Sequence, residues 1–197
     1  MGRVFLSFFL FCHITANSQT NWHLVKDKNG IKIFTADQKD AKVKLVKVEA
    51  YFPGNLEKLS NILLDPSQAK NWAYSTKECY LIKRNSASEI ITYMSTSFPW
   101  PANDRDLAMK TTLIRSDKTL QVICSNVPDI LPEKKGVVRI STFKNNWEVQ
   151  AVNDGFLKIN YFLQVDPGGS LPGWIINLFI SKGPYETFFG LSQLLKK

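Results

Sequence analysis

Apolar and polar residues alternate with a period of two along most of this chain, and the period lengthens to that of a helix in only two places. Residues 30–36 (GIKIFTA) and 41–52 (AKVKLVKVEAYF) combine β-branched side chains with strand alternation. The second stretch changes phase near Lys47, which predicts a bulge. Within 55–72 (NLEKLSNILLDPSQAKNW), Leu56, Leu59, Ile62 and Leu63 make a helical stripe that Asn55 is placed to cap and Pro66 to stop. Trp72 follows as a plug against that short helix. From Glu78 to Val165 nearly everything reads as strand: 77–84, 89–98, 106–114, 119–126, 136–152 and 155–165. The joints are short, which predicts antiparallel neighbours, and Asn153-Asp154-Gly155 is the strongest hairpin signal.

The second helical run, 172–195, closes the chain. Trp174, Ile175, Leu178 and Phe179 begin its apolar face, Phe188, Leu191 and Leu195 continue it, and Gly183-Pro184 bends or interrupts it. No alternation of strand and helix appears, which argues against a doubly wound sheet. The expected fold is α+β: one long curved antiparallel sheet wrapped around a C-terminal helix. The space between them is either filled by large side chains or left as a cavity. Tyr93, Thr111, Arg139 and Tyr161 are candidates to point into it, where polar groups orient an apolar guest rather than transform it.

Composition adjusts this picture at its edges. Residues 1–18 (MGRVFLSFFLFCHITANS) have one arginine, an apolar run and small residues at Ala16 and Ser18, the layout of a secretory signal peptide. They predict an exported protein, periplasmic or extracellular, with a single domain over 19–197. Cys79 and Cys124 then remain, both in strand-like surroundings, and whether they bond is left open. The formal net charge of +8 comes from scattered lysines, which reads as a solvated face with some attraction to anionic lipid heads. Export and the lack of a reading motif argue against nucleic acid. His23 is the only histidine beyond the leader, and there is no metal-ligand spacing, catalytic set or phosphate-cradling glycine loop. No enzyme, cofactor or metal is expected.

One stretch resists this bland reading. In 97–106 (SFPWPANDRD) a tryptophan stands between two prolines, each of which fixes φ and removes a backbone donor. Trp100 therefore sits on a stiff loop, either folded back on the body or offered to a ligand or membrane. Asp104, Arg105 and Asp106 read as loop scaffold, with ligand contact or catalysis as lesser alternatives.

Five segments in order resemble the START lipid-binding domains of the helix-grip superfamily, in an exported, bacterial-looking version. They are NWHLVKDKNGIKIFTA from Asn21, ILLDPSQAKNW, WPANDRDLAM, VPDILPEKKGVVR and VDPGGSLPGWIIN. The resemblance implies a tunnel between sheet and C-terminal helix for a single lipid or sterol-like guest, carried or sensed by a monomer. An interaction scaffold with a collapsed cavity and a cyclase- or hydrolase-like enzyme are the alternatives. Tyr93, Thr111, Arg139, Tyr161, Leu178, Phe179 and Phe188 are the expected tunnel residues. Trp100, Asp104, Arg105, Asp106, Gly168, Gly169 and Leu171 are expected at a mouth that touches membranes transiently. A chamber of several hundred Å3, within the roughly 300–1,000 Å3 of lipid-sized sites, is expected. Thr111 stands where sterol-handling members tend to carry an arginine, so sterol specificity does not carry over.

Overall fold

The structure is a computed structural model that describes residues 20–37, 44–152 and 155–196. Its sheet is built from β1 (His23–Lys28), β2 (Ile31–Ala36), β3 (Lys44–Pro53), β4 (Thr76–Ser86), β5 (Glu89–Thr96), β6 (Asp104–Arg115), β7 (Thr119–Asn126), β8 (Val137–Arg139), β9 (Thr142–Val152) and β10 (Phe156–Asp166). The strand order is β1-β2-β3-β10-β9-β7-β6-β5-β4, antiparallel throughout, with β8 lying parallel to the start of β6. The run 136–152 was expected as one strand. It breaks after Arg139 because the backbone turns to pair with β6, where Ile140 N–H donates to the Asp106 carbonyl at 2.9 Å.

The expected bulge near Lys47 is absent: β3 pairs with β2 and β10 without a register shift, and Val46, Val48, Ala50 and Phe52 are buried in strict alternation. Register shifts occur instead between β1 and β2, after Leu24, and at three places between β4 and β5. The Asn153-Asp154 turn lies outside the described residues, but its flanks pair in register from Phe156 opposite Val152.

α1 (Leu56–Leu63) forms as its stripe predicts, with the Asn55 carboxamide accepting from Lys58 N–H at 2.8 Å. Pro66 does stop it, and then opens a short 3-10 turn leading into α2 (Ala69–Trp72). The C-terminal run is α3 (Gly173–Asn177), a wide π-type turn over Leu178–Lys182, and α4 (Gly183–Lys196), so the break falls just before Gly183-Pro184. α4 crosses α2 so closely that a Cβ on Gly190 would lie 2.9 Å from the Trp72 Cα. At its far end Lys58 Nζ donates to the Leu195 carbonyl at 3.1 Å, placing a cation where the helix dipole favours one.

The core lies between the concave sheet face and α4. Rows of side chains cross the strands there: Val48, Tyr161, Trp147 and Val122 are direct register partners in turn, and so are Asn145, Cys124, Thr111 and Ile90. Phe188 of α4 is fully buried and sits over Trp147 and Tyr161, with ring centres 5.0 and 5.3 Å away.

Candidate functional site

The two rows and α4 enclose a chamber of about 210 Å3, and a narrower one of about 60 Å3 adjoins it beside the end of α1. Trp72, Met94, Met109, Asn145 and Trp147 line both. This is smaller than the several hundred Å3 expected. The reason is aromatic filling: Trp147, Tyr161 and Phe188 meet within 5.3 Å in the space a flatter set of side chains would leave open. Among the described residues no charged side chain lines the larger chamber, and Trp72, Tyr74, Phe143, Phe179 and Leu163 are among its walls.

Of the seven expected tunnel residues, Tyr161, Phe179 and Phe188 line the larger chamber and Thr111 the smaller. Leu178 lines neither; it opens the π-type turn, half-buried. Tyr93 and Arg139 are on the opposite face. Thr92 and Met94 point into the chambers, so Tyr93 between them points away, to stack on Tyr80 at 4.8 Å with the Lys134 ammonium 4.0 Å from its ring. Arg139 is the register partner of Asp106 on that same far face. Its guanidinium donates to both Asp106 oxygens, at 2.7 and 3.3 Å, and to the carbonyls of Leu131 and Pro132. Asp106 is thus a buried anchor for β8 and the loop before it, not a mouth residue.

The chamber interior is polar at a few points. Asn145 Oδ1 accepts from Trp147 Nε1 at 3.1 Å, and Thr111 Oγ1 lies 3.5 Å from Cys124 Sγ. Burial pushes the Cys79 and Cys124 thiols up to about 11 and the Tyr161 phenol further still, so all three stay protonated at neutral pH. Both cysteines are free and sit on strands three spacings apart, roughly 14 Å, beyond the reach of a disulfide. Two buried polar atoms, Trp72 Nε1 and Thr76 Oγ1, have no hydrogen-bond partner among the described residues.

At one end of the chamber three rings cluster, with Phe179 at their centre. Phe98 stacks on Phe179, with centres 3.8 Å apart and planes within 2°, and Tyr74 meets Phe179 edge-on at 5.5 Å. Arg105, only 2% exposed, lies over the Phe98 ring and donates to the carbonyls of Asn103, Pro167 and Gly168, at 3.2 Å for the last two. It therefore ties the loop before β6 to the loop after β10. Gly168 and Gly169 have φ of +70° and +64°, values that only glycine adopts without strain, and this lets both carbonyl and turn approach Arg105. Asp104 fixes the first loop from the other side, accepting from Phe98 N–H at 3.2 Å and Lys77 Nζ at 2.7 Å; the Lys77 hydrogen bond holds its carboxyl below the usual range. Leu171 is half-buried beside these loops in sequence, and Trp100 stands 89% exposed.

Tyr74 and Met94 line this site and Phe98 stacks on its Phe179, and the sequence reading singles out none of the three, whereas Trp72, read there as a plug against α1, lines both chambers. Phe98 lay in the stretch that drew notice for Trp100, and its position two residues before Trp100 on an extended segment was the available signal.

Residues 13–197 match the START domain family. This chain is a START domain. A STAR-related lipid transfer protein from Xanthomonas axonopodis has the same fold, with a TM-score of 0.79, 26% identity, and coverage of 89% of this chain and 99% of that one. An uncharacterized protein of Pseudomonas aeruginosa is 26% identical over 178 residues, 90% of this chain and 88% of its own. Bovine phosphatidylcholine transfer protein is 25% identical over 174 residues, 85% of this chain and 81% of its own. START domains bind and carry hydrophobic molecules and are not enzymes, and membership of that family gives this chain a hydrophobic-ligand-binding role. The expected export is corrected: the phosphatidylcholine transfer proteins to which this START domain is similar are cytoplasmic, not secreted or periplasmic. The segment 1–18 read as a leader lies outside the described residues, and the family match begins within it.

Proposed function

We propose that this START domain, over 19–197 and of the bacterial type, takes one lipid at a time into the chamber under α4 and moves it between membranes. The observation that carries this is the chamber of about 210 Å3 lined by uncharged side chains, with the Phe98–Phe179 stack at its end and adjoining space beside α1. Thr111, Tyr161, Phe179 and Phe188 contact the guest. Arg105, Asp104, Gly168, Gly169 and Leu171 shape the mouth, and Trp100 presents its indole to the headgroup level of a bilayer, where such amphipathic rings are favoured. The bacterial assignment is supported by the similarity to the Xanthomonas and Pseudomonas proteins. Native mass spectrometry of protein purified from cells tests the reading. A lipid-sized adduct that solvent extraction removes is expected; bare protein that also acquires no adduct after incubation with vesicles would refute it.

A further inference from the structure

Three rings set the size of the larger chamber. Trp147 and Tyr161 are direct register partners on β9 and β10, and their rings meet edge-on with centres 5.0 Å apart. Phe188 of α4 stacks on Trp147 at 5.0 Å and meets Tyr161 at 5.3 Å. All three line the chamber, and Phe188 is only 1% exposed. The cluster is also held in place, because Asn145 Oδ1 accepts from the Trp147 indole N–H at 3.1 Å. Met94 and Met109, which line both chambers, are unbranched and adaptable, so the wall between the chambers can yield where the rings do not.

The volume then limits the guest. A water takes up ~30 Å3 in the liquid, and a methylene group is of about that size. On that scale the 210 Å3 chamber takes roughly seven carbons, and the adjoining 60 Å3 about two more. A palmitoyl chain exceeds both together, and a two-chain phospholipid exceeds them by far.

Building on the lipid-carrier reading, we propose that the Trp147–Tyr161–Phe188 cluster is a length filter that restricts the cargo to a short single-chain amphiphile of roughly ten carbons. The chain lies against the three rings and passes Met94 and Met109 toward α1, with its polar end left at the mouth. Phe188 sets the limit, since it is the member of the cluster that α4 brings down onto the other two. Cutting it back to alanine adds a void on the order of 150 Å3. That brings the chamber into the roughly 300–1,000 Å3 of sites for larger ligands.

The test incubates the full chain with neutral vesicles doped with labelled decan-1-ol, octadecan-1-ol or dipalmitoylphosphatidylcholine. The vesicles are pelleted, and label left in solution with the protein is counted against a protein-free blank, relative to label in the vesicles. Each methylene that has room in the bilayer but not in the chamber lowers capture about fourfold. Decan-1-ol capture should therefore exceed that of either longer probe by about tenfold or more. Phe188→Ala should raise octadecan-1-ol capture about tenfold and leave decan-1-ol capture within about threefold. Leu157→Ala, at a fully buried position that lines neither chamber, should leave the preference for decan-1-ol as it is. If an alanine variant fails to fold by circular dichroism, Phe188→Leu and Leu157→Val take the places of the pair, with a rise of about threefold expected for the former. Octadecan-1-ol or phospholipid captured as well as decan-1-ol overturns the length filter and leaves the carrier reading standing. So does a Phe188 variant that takes up no more octadecan-1-ol than the parent, or a Leu157 variant that takes up as much as the Phe188 one. Capture of no probe by the parent overturns both.

Discussion

Replacing Trp100 by alanine separates a residue that serves the fold from one that serves a surface outside it. The side chain is 89% exposed, so only about a tenth of its area is covered by the protein. With roughly 250 Å2 for a fully buried tryptophan, that is about 25 Å2, or ~0.6 kcal/mol at 25 cal/mol per Å2. A domain of this size should then lose about 2 °C in melting temperature. Had the indole been folded onto the body, the same change would cost ~3–5 kcal/mol through the cavity it left. On a bilayer the balance is different. A ring half immersed at the headgroup level hides about 100 Å2, which is ~2.5 kcal/mol, or roughly a 70-fold fall in vesicle affinity when it is removed. Two measurements settle it on one preparation: a thermal melt, and vesicle flotation with fluorescent-lipid transfer between donor and acceptor vesicles. The expected result is a near-unchanged melt with weakened flotation and slower transfer. A melt lowered by 8 °C or more would show the indole to be part of the core. Unchanged melt together with unchanged flotation and transfer would remove Trp100 from the mouth altogether.

Gly190→Ala should be severe for so small a change, because the added methyl would meet the Trp72 Cα at 2.9 Å and its carbonyl at 3.0 Å, both backbone atoms that cannot step aside. A loss of at least ~2 kcal/mol in urea unfolding is expected, and a midpoint equal to that of the parent would show that α2 and α4 part easily. The thiols give a pH-dependent test. With Cys79 and Cys124 raised to about 11, only about one molecule in a thousand carries each thiolate at pH 8, against roughly a quarter for an ordinary thiol. Peptide-resolved iodoacetamide labelling at pH 8 should therefore run at least 100-fold slower in the folded protein than in urea. Because the fold favours the protonated thiols, it binds more protons than the unfolded chain above pH 8.5; stability should be full below that value and fall as pH rises toward 11. Fast labelling of either cysteine in the folded state would refute the burial that raises them.

The architecture was legible because most strands bury one face. In β3 only alternate residues are covered, and the sequence alternates accordingly. β5 is different: Ile90, Ile91, Thr92 and Tyr93 are buried in succession, since its far face lies under Lys134 and the loop ahead of β8. A strand covered on both sides carries no sign of which side is which, so Tyr93 was assigned to the chamber when a one-residue difference in parity sends it away. Arg139 was misplaced for a related reason. Its direction follows from pairing with Asp106, a contact 33 residues distant that no local pattern announces. The mouth was half legible. Trp100 stood out by its prolines, but the ring of that stretch that packs at the chamber's end is Phe98, whose partner Phe179 comes from a helix turn 81 positions later. The wide turn over Leu178–Lys182 that presents Phe179 follows from tertiary packing against Tyr74 and had no local signature beyond the Gly-Pro pair after it.

The register shifts have a consequence beyond the geometry of the sheet. They fall only in the two outermost ladders, β1 with β2 and β4 with β5, while every interior ladder runs without one. Among the described residues the sheet does not close on itself, and an open sheet edge is a template on which another copy of the chain can add. Here the hazard is compounded by exposed apolar pairs on those same strands, Leu24-Val25 on β1 and Tyr80-Leu81 on β4. One shift falls between Leu24 and Lys26, and another between Leu81 and Lys83, at the places where an incoming strand would find the most to hold. Each shift breaks the even spacing that strand addition requires, and each is followed at once by a lysine whose burial in a fibril-like stack would be costly. Strand addition at either outer strand is thereby disfavoured.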